Sequence, residues 1–301
     1  MVCRMTLLGS HEIPVGEIQE IIILICVKKR KKRLKCKECF PLPTDYQTLP
    51  PEQCAEKLMN AGHVAVFSGA GISTAAGIPD FRGPNGLYTT QRYDPDRVFD
   101  IHYFKNHPRL FYRFSQDFIQ VLKQVEPTFT HRFVARLEKE GRLLGTITQN
   151  IDGLHYLAGS TRLAEVHGSY RAADCMNNPL HHMEGLTLAW WEKAMHISDS
   201  SPVVNCGQCG GILKPDVVFF GEMVHELDKA ENWIAQCDLL LVLGSSLTVY
   251  PAALLPQFTH SEVIIINQGP VALMPTPRRY FIDDNLDHFF KKVVDFIDSR
   301  I

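Results

Sequence analysis

Residues 63–73, HVAVFSGAGIS, decide how this chain folds. The run is apolar almost throughout, as in a strand covered on both faces, and Gly69 and Gly71 then permit a tight turn into a helix. The same texture recurs in LLGTITQN (143–150), CDLLLVLGSS (237–246) and SEVIIINQG (261–269), each apolar run stopping in polar or glycine residues. Helix-length segments separate the four runs. They predict an α/β fold with a mostly parallel sheet and helices on both faces. Ahead of the first run, PEQCAEKLMNAG (51–62) reads as a helix with proline in its first turn and a stop at Gly62.

The 301 residues suffice for one large core and a small satellite. Hydrophobic residues make up 45% and charged residues 21%, the balance of a water-soluble globular chain. The net charge of -2 hides an asymmetry: KKRKKRLKCK (28–37) carries eight of the 31 basic residues, leaving 23 basic against 33 acidic elsewhere. Such a body does not read as a groove for nucleic acid. IIILICV, just before the basic run, is far shorter than the roughly 20 residues of a spanning helix. An accessory extension, an interfacial anchor and a nuclear-entry signal all remain open readings of residues 1–45. Nine cysteines with no segment that reads as a signal peptide point to reducing surroundings. The expected location is the cytoplasm, with the nucleus as the alternative allowed by the basic run.

Four prolines between residues 40 and 53 mark the start of the folded body, placed at 46. The texture changes again over 166–221, where DCMNNPLHHMEG and VVNCGQCGGILKPD are turn-rich and flank the short helical LTLAWWEKAMH. This reads as a small module inserted between 46–165 and 222–301. Its thin apolar content makes a metal clip plausible, and Cys175, Cys206 and Cys209 lie within it. A second C-x-x-C pair, Cys36 with Cys39, stands outside it in the basic extension.

The glycine loop SGAGISTAAGIPDFRG (68–83) suits close backbone approach to a diphosphate, although it departs from the strict G-x-G-x-x-G spacing and lacks the G-K-[ST] of a P-loop. A dinucleotide site and a purely structural strand-to-helix turn both fit it. TQNIDGLH (148–155) then crowds an amide, a carboxylate and a histidine at the end of an apolar run. Either these cap the next helix or they line a ligand crevice at the carboxyl end of the sheet.

Five motifs taken together, GAGISTAAGIPDFRG, TQNIDGLH, HG (167–168), KPDVVFFGE and GSSLTVYPAA, resemble the sirtuin family of NAD-dependent protein-lysine deacylases. The likeness runs from about Pro51 to Ser299, and GIPDFRGPNGLY and VVFFGE look most like the bacterial-type deacetylases. It implies a Rossmann-like domain with a small inserted zinc-ribbon-like module. It also implies Gly69, Ala70, Gly71, Ile78, Asp80, Phe81 and Arg82 at the NAD site, Phe81 covering the nicotinamide, and a polar cover over the cofactor from Arg82 to Asp100. Gln149, Asn150 and Asp152 would surround the nicotinamide ribose and carboxamide, while Gly244, Ser245, Ser246 and Asn267 would face the phosphates and adenosine. His155 reads as a supporting structural histidine.

His167 would be the general base, since a neutral imidazole can accept a proton near pH 7, and the following glycine would clear the approach to the ribose. The implied reaction is a transfer: the acyl-lysine oxygen attacks C1′ of the ribose and nicotinamide leaves, the 2′-oxygen then attacks the resulting imidate, and water completes the formation of free lysine and O-acetyl-ADP-ribose. Val218 and Phe220 would wall the apolar acyl-lysine channel. Gly221, Glu222 and Val249 would belong to the segments that clamp an acetylated peptide as an added strand. Members of the family that remove succinyl groups use a tyrosine and arginine pair in the pocket, whereas the loop before the polar cover here has Ala75 and Ala76 and shows no signature for an acidic acyl group, so acetyl is the expected substrate.

Sirtuins hold a structural zinc with two C-x-x-C pairs. Here Cys206 and Cys209 form the second pair, but the first keeps only Cys175, with Asn178 where its partner belongs. Cys175, Cys206 and Cys209 leave one tetrahedral position, for which His181 and His182 are the candidates. Two other functions stay open at this level: a protein mono-ADP-ribosyltransferase, and a non-catalytic module that binds NAD or peptide.

Overall fold

Continuous burial of the apolar runs produces a sheet with two covered faces. A computed structural model describes residues 46–79, 93–196 and 201–300, all of which lie after the division of the chain between Pro41 and Leu42. The expectations for Asp80, Phe81, Arg82 and most of the polar cover lie outside the described residues. So do those for the basic run, Cys36 and Cys39.

The described strands are β1 (Val64–Ser68), β2 (Leu143–Thr148), β3 (Leu163–Glu165), β4 (Gly168–Cys175), β5 (His182–Glu184), β6 (Leu213–Val217), β7 (Leu239–Leu243), β8 (Glu262–Ile266) and β9 (Arg279–Ile282). The helices are α1 (Pro51–Asn60), α2 (Pro95–Val98), α3 (Ile101–Asn106), α4 (Pro108–Leu122), α5 (Phe129–Lys139), α6 (Leu154–Leu157), α7 (Leu188–His196), α8 (Leu227–Gln236) and α9 (Leu286–Asp298). One sheet has the order β3-β2-β1-β7-β8-β9, and its pairings are all parallel. The four apolar runs account for β1, β2, β7 and β8 at its centre. The short edges, β3 and β9, mix polar and apolar residues and carry no such signal.

Alternation on β1 sends Val64 and Val66 toward α1, α5 and α9, where Leu58, Val134, Phe290 and Val293 complete one core. Ala65 and Phe67 face the other side, with Ala230 and Ile234 of α8. Both faces are therefore dry, which is why the strands read as unbroken apolar runs. α1 begins with Pro51 at its first turn and ends at Asn60, two residues before Gly62.

A second, three-stranded antiparallel sheet has the order β5-β4-β6. Its core joins Tyr170, Trp191, Met195 and Leu213 to Phe104, Phe111 and Phe114 from α3 and α4. Among the described residues no helix is long and apolar enough to cross a membrane.

Candidate active site and metal centre

Strand order reverses between β1 and β7, and open α/β sheets form their ligand crevice at such a point, beyond the carboxyl ends of the strands. The turns after β1 and β7 lock together there. Gly69 N donates to Leu243 O at 3.0 Å and Gly71 N to Gly244 O at 2.8 Å. A Cβ on Gly71 would lie 2.7 Å from Gly244 Cα, and Gly244 has φ of +63°. These glycines thus serve the close approach of two loops, and the N–H groups of Gly69 and Gly71 are committed to the carbonyls at the end of β7. The segment that follows, Ala70–Ala76, is a 3₁₀ turn where the sequence led us to expect the start of an α-helix. Ile78, expected beside the cofactor, packs with Leu122 and Leu154.

The end of β2 ties the crevice together through Gln149. Its N–H donates to Ser68 O at 3.0 Å, its side-chain oxygen accepts from Ser245 Oγ at 2.8 Å, and its carbonyl meets His167 Nδ1 at 2.9 Å. One residue thereby links β1, β2, the chain leaving β3 and the loop after β7. Asn150 Nδ2 donates to Gly69 O and Ser73 Oγ at 3.1 and 3.2 Å. Asp152 accepts from Ser73 Oγ at 2.7 Å and from Leu154 N at 2.8 Å. Burial raises the Asp152 carboxyl above its usual range, and those hydrogen bonds oppose the rise. Ser73, fully buried, was missed from sequence. Its position four residues after the β1 glycine was the available signal.

His167 is half-buried at the chain's exit from β3. Because Gln149 offers a carbonyl, Nδ1 must carry the hydrogen, leaving Nε2 as the basic nitrogen of the neutral ring. Burial lowers its pKa below the ordinary histidine value, the Gln149 carbonyl pulls it back, and His225 lowers it further. The glycine of the HG pair has a different purpose from the one expected. Gly168 has φ of +71°, and a Cβ there would lie 1.7 Å from the Asp216 carbonyl, so it serves β4–β6 pairing rather than the approach to a ribose. His155 is buried, with Nε2 2.9 Å from Ser68 Oγ and its ring against His131; burial holds its pKa well below 6.5, which keeps it neutral and structural.

Alternation after β6 sorts the next segment. Val217 and Phe219 are 2% and 1% exposed in the aromatic core, while Val218 is half-buried and Phe220 is 40% exposed. Phe220 pairs with the α2–α3 connection, its N–H meeting Phe99 O at 2.6 Å and its carbonyl meeting Ile101 N at 3.2 Å. Val218 N donates to His167 O at 2.9 Å, which ties this loop to the histidine. Gly221, with φ of +99°, makes the turn. The Glu222 carboxylate faces its own loop, accepting from Phe219 N at 2.8 Å and pairing with Lys214 at 2.9 Å. Val249 is half-buried on the loop after β7. Ser246 Oγ lies 2.9 Å from Thr248 Oγ1, and Asn267, just past β8, donates to Gly269 O at 3.0 Å. Gln149 Nε2 is a buried donor without a partner among the described residues, as a polar ligand in the crevice would require.

The metal centre resolves the choice between adjacent histidines. Ligand atoms of Cys175, His181, Cys206 and Cys209 lie within 4.8 Å of one another. Cys175 Sγ is 3.4 Å from Cys209 Sγ, and His181 Nδ1 is 3.5 Å from Cys206 Sγ. A zinc tetrahedron with bonds of about 2.3 Å has edges of about 3.8 Å, so three thiols and one imidazole at these spacings fit the ion. His182 is drawn away by β5, where it faces Asp174 at 2.7 Å and Glu184 at 3.3 Å. Asn178 stands where a fourth cysteine was expected, and its side-chain amide meets the other ring nitrogen of His181 at 3.0 Å. Zinc held there would tie β4 to the Cys206–Cys209 turn as a structural clip.

The model of the Sir2 family matches residues 69–251. An NAD-dependent protein deacetylase of Sulfolobus acidocaldarius is 37% identical over 82% of this chain and 95% of its own length. One from Thermotoga maritima is 40% identical over 70% of this chain and 85% of its own. A solved Sir2 complex with p53 peptide and NAD+ is 34% identical with a TM-score of 0.71, covering 82% of this chain and 98% of that one. Sir2Tm bound to a propionylated peptide is 33% identical with a TM-score of 0.70 over the same shares. Matches that span the crevice and nearly the full length of such relatives mean that the chain belongs to the Sir2 family, the sirtuins its motifs resemble.

Proposed function

We propose that the protein removes acetyl groups from protein lysines, consuming NAD. The observation that carries this reading is the fixed tautomer of His167, whose Nδ1 is held by Gln149 while Gln149 is itself pinned by Ser245. NAD supplies an activated ribose carbon with nicotinamide as leaving group. His167 Nε2 then takes the proton of a ribose hydroxyl: the fixed ring orientation favours the step, and the lowered pKa keeps the ring unprotonated and available for it near pH 7. Asn150 and Asp152, fixed through Ser73, hold the polar end of the nicotinamide and its ribose. Gly69, Ala70, Gly71, Gly244, Ser245, Ser246 and Asn267 line the phosphates and adenosine. Val218 and Phe220 enclose the lysine stem and its acyl cap, and Gly221, Glu222 and Val249 belong to the two loops that clamp the peptide. In this division of labour residues 46–165 and 222–301 bind NAD, and 166–221 is the zinc module that connects the base to the peptide loop. Residues 1–45 are accessory.

The test is an acyl-peptide series read by nicotinamide release. Acetyl-lysine should turn over at least about 100-fold faster than succinyl-lysine, because a buried carboxylate without a partner costs roughly 3 kcal/mol or more. The nearby buried cation, Lys214, is already neutralised by Glu222. Equal or faster succinyl turnover would sink the apolar-channel assignment, and ADP-ribose retained on protein with acetyl groups intact would favour a transferase.

A further inference from the structure

Lys214 lies on β6 with only 8% of its surface exposed. Its ammonium is surrounded by the segment that follows it. Nζ donates to Val217 O at 2.7 Å and Pro215 O at 3.3 Å, and meets Glu222 Oε2 at 2.9 Å. The Phe219 ring centroid is 4.4 Å away. Three donors thus find three acceptors. The same Glu222 oxygen accepts from Phe219 N at 2.8 Å, while Glu222 N donates back to Phe219 O at 3.0 Å. Phe219 is anchored among Phe99, Phe104 and Phe111, with centroids 6.1, 5.3 and 4.8 Å away.

We propose that Lys214 is a positioning residue for the acyl-lysine channel: its ammonium closes the 217–222 loop, and so fixes Val218 and Phe220 facing the substrate. The loop cannot swing outward without stranding a buried ammonium, an arrangement costly enough to hold one conformation. The identity of the substrate rests on the deacetylase reading; the closure of the loop does not.

The test is Lys214→Met, which keeps the stem and removes the ammonium, beside Lys214→Arg, which restores a cation and should recover most of the loss. Lys214→Met should raise KM for acetyl-peptide at least about tenfold, the effect of losing a hydrogen bond to a charged group. The kcat and the KM for NAD should stay within about threefold, as expected when positioning of one substrate is lost. Amide exchange at Val218, Phe219 and Phe220 should accelerate at least about tenfold while β1 and β2 are unchanged. Exchange and peptide KM both at wild-type values would overturn the proposal. So would a uniform rise in exchange across β4, β5 and β6 in Lys214→Met, which would make Lys214 an ordinary member of the core. Absence of deacetylation in the unmodified chain would count against the proposed function instead, and the exchange measurement would still decide the role of Lys214.

Discussion

His167→Ala is expected to lower deacetylation at least about 100-fold, the lower end of a general-base contribution. The fold should survive. The side chain is half-buried and, among the described residues, its hydrogen bond is to the Gln149 carbonyl, so its loss costs on the order of 1 kcal/mol. The pH dependence has a defined sign. Burial places the imidazole pKa below 6.5, so the base is neutral at pH 7 and kcat/KM should stay level above that value. As pH falls through the lowered pKa the ring gains a proton and activity is lost. Steady-state rates of the parent chain and of the variant from pH 5 to 8 check both points, the acid-side loss belonging to the parent alone. Turnover near the parent's would reject His167 as the base.

Removing one thiolate should have the next largest effect. Cys206→Ser should abolish the single zinc per chain expected of a tetrahedral site and destabilise the three-stranded sheet, because metal binding there is also folding free energy. Activity should fall indirectly, since β4 and β6 connect His167 to the Val218–Phe220 loop. The two histidines separate cleanly: His181→Ala should weaken zinc at least about tenfold in competition with a chromophoric chelator, and His182→Ala should leave affinity unchanged. His182 faces Asp174 and Glu184, whereas His181 Nδ1 faces Cys206 Sγ. Loss of zinc on the His182 substitution alone would contradict the ligand set.

Much of this was legible in sequence because it depends on local pattern. Strands buried on both faces read as unbroken apolar runs, and of VVFF the resemblance singled out Val218 and Phe220, the two that are more exposed than Val217 and Phe219. The family motifs pointed to Gln149, Asn150, Asp152 and His167, which the fold brings together at the ends of β2 and β3. What sequence did not reveal depends on register and on contacts between distant segments. His181 and His182 are adjacent, and only the pairing of β4 with β5, which sets His182 opposite Asp174, separates them. Gly168 looked like clearance for a ligand, yet its neighbour is a carbonyl on β6, 48 residues away in sequence. Gln149 was expected simply beside the nicotinamide, but it also joins loops from β1, β3 and β7. Ser73 and Lys214 gave no signal strong enough to stand out, because each acts through partners that only the fold assembles.

The account is tested most directly by incubating the zinc-loaded chain with an acetyl-lysine peptide and NAD and quantifying all three products in the same samples. Nicotinamide, deacetylated peptide and O-acetyl-ADP-ribose should appear in equal amounts from the first turnover. Nicotinamide released without loss of acetyl groups, or peptide and NAD bound with no products formed, would contradict it.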